Sequence, residues 1–221
     1  MTYDFYWISG SPNAWRVMLT LEYKGVPYVS HRLDPSKRAH KTPEFLAVNP
    51  RGQVPVLNAA GAIITESLAI MAFLERAHPA PALFGKTAAE TGLIWQRIFE
   101  VVNHLRDPIE TGVVRAISYG EAMKDPDGAR KAAGLAATRL DWLEAILQRE
   151  PYLAGASISA ADIATMPIIE LLARFGAKPD AITLGLGFDD LGRTHPAVAA
   201  WLKRIQSVRG YDAAYPPHWR E

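Results

Sequence analysis

No cysteine occurs among the 221 residues of this chain. Disulfides, thiolate metal sites and every mechanism in which the protein itself supplies a nucleophilic sulfur are thereby excluded. Net charge is nearly absent as well, since 24 lysines and arginines stand against 23 aspartates and glutamates. That balance creates no field to attract nucleic acid or an anionic membrane, so neither is expected as a principal partner. Long hydrophobic runs are also missing: nowhere do about 18 apolar residues follow one another. The opening Met1-Thr2-Tyr3-Asp4-Phe5-Tyr6 lacks the basic-then-apolar order of a leader peptide. A cytoplasmic protein without a membrane span is expected. No internal repeat or low-complexity tract is evident.

What remains is ordinary globular material, 49% apolar and 21% charged, long enough for one large domain or two small ones. Tyr3 to Ile8 reads as a buried strand that stops at Ser9-Gly10-Ser11-Pro12. A helix starts there, because serine is a favoured N-cap and proline is tolerated in the first turn. Val17 and Leu21 mark its apolar face, and Lys24-Gly25 its stop. Tyr28 to Leu33 gives a second strand, Pro43 to Val48 a short helix or turn, and Val54 to Leu57 with Ala62 to Ile64 a hairpin about Ala60-Gly61. From Glu66 the period changes, with Ile70, Phe73, Leu74 and Ala77 at helical spacing. His78-Pro79-Ala80-Pro81 then reads as a linker. The expected division is 1–78, a linker at 79–86, and an all-α region over 87–221. In that region Ile94, Ile98, Val101, Val102, Leu105 and Ile109 keep helical spacing, as do Leu140, Leu143 and Leu147. Ser159-Ala160-Ala161-Asp162 is a capping box, Pro167 is expected to kink its helix without ending it, and Ala197 to Val208 supplies a further helix.

Four polar clusters sit at element boundaries in the first 67 residues. Ser11-Pro12 is explained by capping alone, and no histidine or lysine base lies in its motif to make it an acyl-transfer nucleophile. If a cosubstrate lays a thiol on Val54, the Ser11 hydroxyl at the positive end of the helix can donate to the thiolate. Val54-Pro55 is either an edge-strand proline or, with a cis bond, a turn that presents the backbone of Val54 to an extended peptide. Glu66-Ser67 is either a pair of helix caps or a site for a group carrying both charges, Ser67 donating to its carboxylate and Glu66 pairing its ammonium. His40, Lys41 and Gln53 are either solvated side chains or partners for a second carboxylate.

The order of these clusters resembles the cytosolic glutathione transferases over essentially the whole chain, most closely the serine-type theta, tau and zeta classes. Asn49-Pro50-Arg51-Gly52-Gln53-Val54-Pro55-Val56-Leu57 is similar to the family's cis-proline signature, and Thr65-Glu66-Ser67 to its γ-glutamyl site. The resemblance implies an α/β plus all-α protein, with a thioredoxin-like βαβαββα domain followed by an all-helical one. It implies a glutathione S-transferase that conjugates the glutathione thiolate to an apolar electrophile as a detoxification homodimer, with glutathione as cosubstrate and no metal. Ser11 becomes the thiol activator, and His40, Lys41, Gln53, Val54, Pro55, Glu66 and Ser67 the glutathione site. Asn13, Phe99, Asn103, Arg106, Ile109 and Trp219 are candidates for the electrophile site. Asn13 stands where zeta-type members carry cysteine, which disfavours maleylacetoacetate isomerisation; a protein-thiol route to dehydroascorbate reduction is excluded with cysteine itself. A glutathione-dependent isomerase and a non-catalytic glutathione-binding or structural dimer stand as alternatives.

Overall fold

The computed structural model describes residues 2–220. A four-stranded sheet has the order β2-β1-β3-β4, from β1 (Tyr3–Trp7), β2 (Tyr28–Arg32), β3 (Val56–Ala59) and β4 (Ala62–Thr65). β1 runs parallel to β2, with Tyr3 opposite Tyr28 and Trp7 opposite Arg32, and antiparallel to β3, with Phe5 opposite Leu57. β3 and β4 form the expected hairpin, whose turn uses positive φ at Ala60 and Gly61 while Asn58 Oδ1 accepts the Gly61 N–H at 2.8 Å. β3 starts at Val56, two residues later than its apolar run, because Pro55 has no N–H to give a ladder.

Alternation along β1 separates the two faces of the sheet. Tyr3 meets Phe73 of α3 (Ser67–Ala77), whereas Tyr6 meets Phe45 of α2 (Pro43–Val48). α1 (Pro12–Lys24) packs on α3 and is buried nearly all round, from Ala14 through Leu21. Its second cover is the chain terminus: α11 (Tyr211–Ala214) lies on it, and Trp15 meets the rings of Tyr211, Tyr215 and Trp219 at 6.1, 5.6 and 5.3 Å. Gly25, at φ +64, ends α1, and the buried Lys24 ammonium ties the proline-rich stretch down through the carbonyls of His78 and Pro81 and the Glu75 carboxylate, 2.7 Å away.

Two compact units result. One runs through Leu83 and takes in the segment from Ser207 onward; the other is Phe84–Gln206. The expected division counted the terminal segment with the helices, a reading blind to the aromatic contacts it makes on α1.

The second unit contains only helices and one isolated bridge between Tyr152 and Gly155 among the described residues. α4 (Ala88–Glu100) starts on a capping box of Thr87 and Glu90 and continues without interruption through two π-helical stretches, Val101–Leu105 and Pro108–Arg115, into α5 (Ala116–Ser118). The buried Val101, Leu105, Ile109, Val113 and Ile117 recur every four residues, wider than the 3.6 of an α-helix, so the looser turns keep one face on the core. α6 (Pro126–Leu147) buries Leu140, Leu143 and Leu147 as expected, with α8 (Pro179–Leu184) and α9 (Leu191–Thr194) as short additions before α10 (Pro196–Gln206). α7 (Ala160–Gly176) runs through Pro167.

Asp162 does more than close the capping box. Its Oδ2 accepts from the Ser159 N–H and hydroxyl, while its Oδ1 accepts from the Leu153 N–H at 2.9 Å and the Trp201 indole at 2.8 Å. Complete burial pushes this carboxyl above the usual range, and the four donors oppose that rise. Glu144, also buried, reaches from α6 to the N–H groups of Ala197 and Val198 at the start of α10. No helix among the described residues is long and apolar enough to cross a membrane.

Candidate active site

Strand directions bring the polar clusters to one end of the sheet. Ser11 follows the carboxyl end of β1, and the loop to Lys41 follows the carboxyl end of the parallel β2. β3 is antiparallel to β1, so its amino end lies there too, and β4 returns to it. Val56 pairs with both Tyr6 and Thr65, so Val54, two residues before it, lies at the sheet end where Ile8 follows β1 and Ser67 follows β4. Ligands of open α/β sheets bind outside these carboxyl ends.

Ser11 caps α1, its Oγ accepting the Ala14 N–H at 3.3 Å. Acceptance leaves the hydroxyl hydrogen to donate outward. Asn13, half-buried, follows in the first turn. The Val54–Pro55 bond is cis, Pro55 is buried, and the backbone N–H and C=O of Val54 have no hydrogen-bond partner among the described residues. An extended peptide laid beside Val54 supplies both missing partners.

The start of α3 is open in the same sense. Glu66 precedes it at φ +65, a region that costs a non-glycine residue on the order of 1–3 kcal/mol, and offers no side-chain cap. The first N–H groups of an 11-residue helix therefore point out beside the buried Ser67. Arg51 holds Glu66 from outside: its Nη2 donates to Thr65 Oγ1 and lies 2.9 Å from Glu66 Oε1. No local signal in the sequence marks Arg51 for this part, because its partner Glu66 stands 15 positions away.

His40 and Lys41 close on the loop before Val54. Lys41 Nζ donates to the Arg51 carbonyl at 3.2 Å, and His40 Nδ1 is buried without a partner. Gly52, at φ +58, is where that approach is tightest: an added Cβ would lie 2.8 Å from both the His40 carbonyl and Lys41 Nζ. Asn49 shapes the same loop, donating to the Gln53 carbonyl and accepting from the Arg51 N–H, while the Gln53 side chain stays exposed.

Of the remaining candidates, Trp219 belongs to this unit, stacked edge-on against Trp15, with His218 beside it donating to or accepting from Ser9 at 2.6 Å. Both rings crowd Gly10, where an added Cβ would lie 3.0 Å from His218 Cε1. No local signal joins Ser9 to a residue 209 positions away. Phe99, Asn103 and Arg106 lie on the helical unit: Phe99 is half-exposed and stacked on Trp95, Asn103 is exposed, and Arg106 is committed to Glu110 at 3.0 Å. Ile109 is fully buried, a core residue and not a lining one. No group of three or more metal-ligating side chains occurs among the described residues.

Comparison with known proteins agrees with this layout. Residues 10–77 match the model of the glutathione S-transferase N-terminal domain, and residues 111–208 that of the C-terminal domain. Glutathione S-transferase A of Pleuronectes platessa is 29% identical, with 97% of this chain and 92% of the relative covered. Glutathione S-transferase F10 of Arabidopsis thaliana is 31% identical over 87% of this chain and 86% of the relative. The crystal structure of a glutathione S-transferase from the Antarctic clam Laternula elliptica superposes with a TM-score of 0.84 at 29% identity, covering 100% of this chain and 95% of that one. On two family models and relatives of this extent, the chain belongs to the glutathione S-transferase family.

Proposed function

We propose that the sheet end binds glutathione and that the protein transfers its thiolate to an electrophilic carbon. The observation that carries this reading is the pair of backbone sites left without internal partners at one sheet end, Val54 and the start of α3, with His40 and Lys41 on the neighbouring loop. Glutathione has a group for each. Its cysteinyl backbone pairs with Val54 next to Pro55. Its γ-glutamyl carboxylate takes the α3 N–H groups and Ser67, and its ammonium takes Glu66, which Arg51 steadies. Its glycyl carboxylate takes His40, Lys41 and Gln53. The thiol then lies toward Ser11, whose hydroxyl donates to the thiolate and lowers a pKa that is about 8.5 when free.

With no cysteine in the chain, the only nucleophilic thiol is the cosubstrate's, and Ser11 at the start of α1 is the hydroxyl we assign to stabilise it. The sulfur attacks, the leaving group departs, and the thiol proton passes to solvent. A homodimer working in the cytoplasm in detoxification completes the proposal. Calorimetry with glutathione tests binding directly, and absence of heat at millimolar glutathione overturns the reading. Ser11→Ala is expected to lower kcat for an aryl halide by about 10²–10³, the cost of one preorganised donor to a developing anion. Unchanged turnover removes the role given to the hydroxyl and leaves the binding site standing.

A further inference from the structure

A cleft of about 380 Å³ opens on the same sheet end, lined by Ser9, Arg32, Leu33, Asp34, Pro35 and His218. All six belong to the N-terminal unit. Leu33 and Pro35 are its apolar lining. Its Ser9–His218 wall adjoins the serine proposed to hold the thiolate, because only Gly10 separates Ser9 from Ser11 and the His218 ring rests on Gly10.

The two charged residues that line this cleft, Arg32 and Asp34, are not paired with each other. The Arg32 guanidinium packs 5.8 Å from the Trp7 ring centroid and has no ion pair or hydrogen bond among the described residues. The ring fixes the position of the head and leaves its forked donors unused. Asp34 is the opposing charge: its Oδ1 accepts the Ser36 N–H at 2.9 Å and the Ser36 hydroxyl at 2.7 Å, bonds that hold the carboxyl below its usual range and turn it toward its own loop, and it makes no ion pair with Arg32 among the described residues. Beyond it the loop carries Lys37 and Arg38 with no further acid before Glu44. An uncommitted guanidinium beside an apolar lining, backed by a basic loop, recognises an apolar body that ends in a planar anion.

We infer that this cleft receives the second substrate and selects an electrophile bearing a carboxylate, held by Arg32 with the His218 ring as its wall. The inference rests on the glutathione reading above and replaces a wholly apolar acceptor with an acidic one. A chloronitrobenzoate and its methyl ester test it: in either, the glutathione sulfur bonds the ring carbon, the carbon–chlorine bond breaks, chloride leaves, and the thiol proton goes to the buffer. The wild type is expected to favour the acid, as measured by the acid-to-ester ratio of kcat/KM. Arg32→Gln should lower that ratio about tenfold, the worth of one charge-assisted bond at a half-open site. Arg32→Lys should restore part of it, and Asp34→Asn should raise it above wild type.

An acid-to-ester ratio that stays constant across these variants overturns the inference while ester turnover keeps the transferase reading intact. If Arg32→Gln raises the KM for glutathione and leaves the ratio alone, the cleft holds the glycyl carboxylate of glutathione and the inference falls. If the wild type binds no glutathione, both readings fail together.

Discussion

The starts of α3 and α7 use the same residue types to opposite ends. At α7, Ser159 and Asp162 consume each other's hydrogen-bonding capacity, and Leu153 and Trp201 consume the rest, so nothing at that terminus is left for a ligand. At α3, Glu66 turns away at φ +65 into an exposed pair with Arg51, and the helix begins without a side-chain cap. The first arrangement stabilises the fold; the second forgoes a cap worth about 1 kcal/mol and leaves the first N–H groups of α3 without a side-chain partner, where we propose that an anion binds. A serine and an acid at a helix start thus distinguish folding from binding only through where the acid points.

Removing the buried acid should be the most damaging change. Asp162→Ala strands four buried donors and is expected to cost about 3–5 kcal/mol in urea unfolding. A loss below about 1 kcal/mol would mean that the two termini do not differ as described. Glu66→Gln should do the reverse, weakening glutathione binding about tenfold by calorimetry while stability moves by less than about 1 kcal/mol, because the pair it breaks is exposed. Thr87→Ala removes the cap of α4 and is expected to cost about 1 kcal/mol with the glutathione Kd unchanged. Its partner Glu90 is held below the ordinary carboxylate range by the Lys86 and Thr87 N–H groups. A depressed folded-state value means that its contribution is present above the ordinary range and disappears as pH falls through the depressed value. Glu90→Gln should therefore flatten the acid limb of the unfolding midpoint plotted against pH, the smallest effect of the series.

Much of the first unit was legible because its signals are local. Ser11-Pro12, Gly25 and Ala60-Gly61 each specify a boundary through the conformation of one or two residues, and the apolar alternation of β1 specifies its faces. The candidate site was legible one boundary at a time, as clusters whose capping and binding readings look alike. The π-helical path after Glu100 was visible only as a four-residue recurrence from Val101 to Ile117, which a search for helical spacing absorbs into an ordinary helix.

By itself the sequence determined which residue types stand at each element boundary, and its lack of cysteine assigned the reactive sulfur to a cosubstrate. Those properties follow from covalent chemistry and from steric preferences a few residues long. Only the tertiary structure decided which polar groups go unpaired, because hydrogen-bond satisfaction is settled among residues far apart in the chain. Asp162 meets Trp201 and is spent; Val54 meets nothing and stays available; Ser9 meets His218 and brings a wall to the cleft beside Ser11.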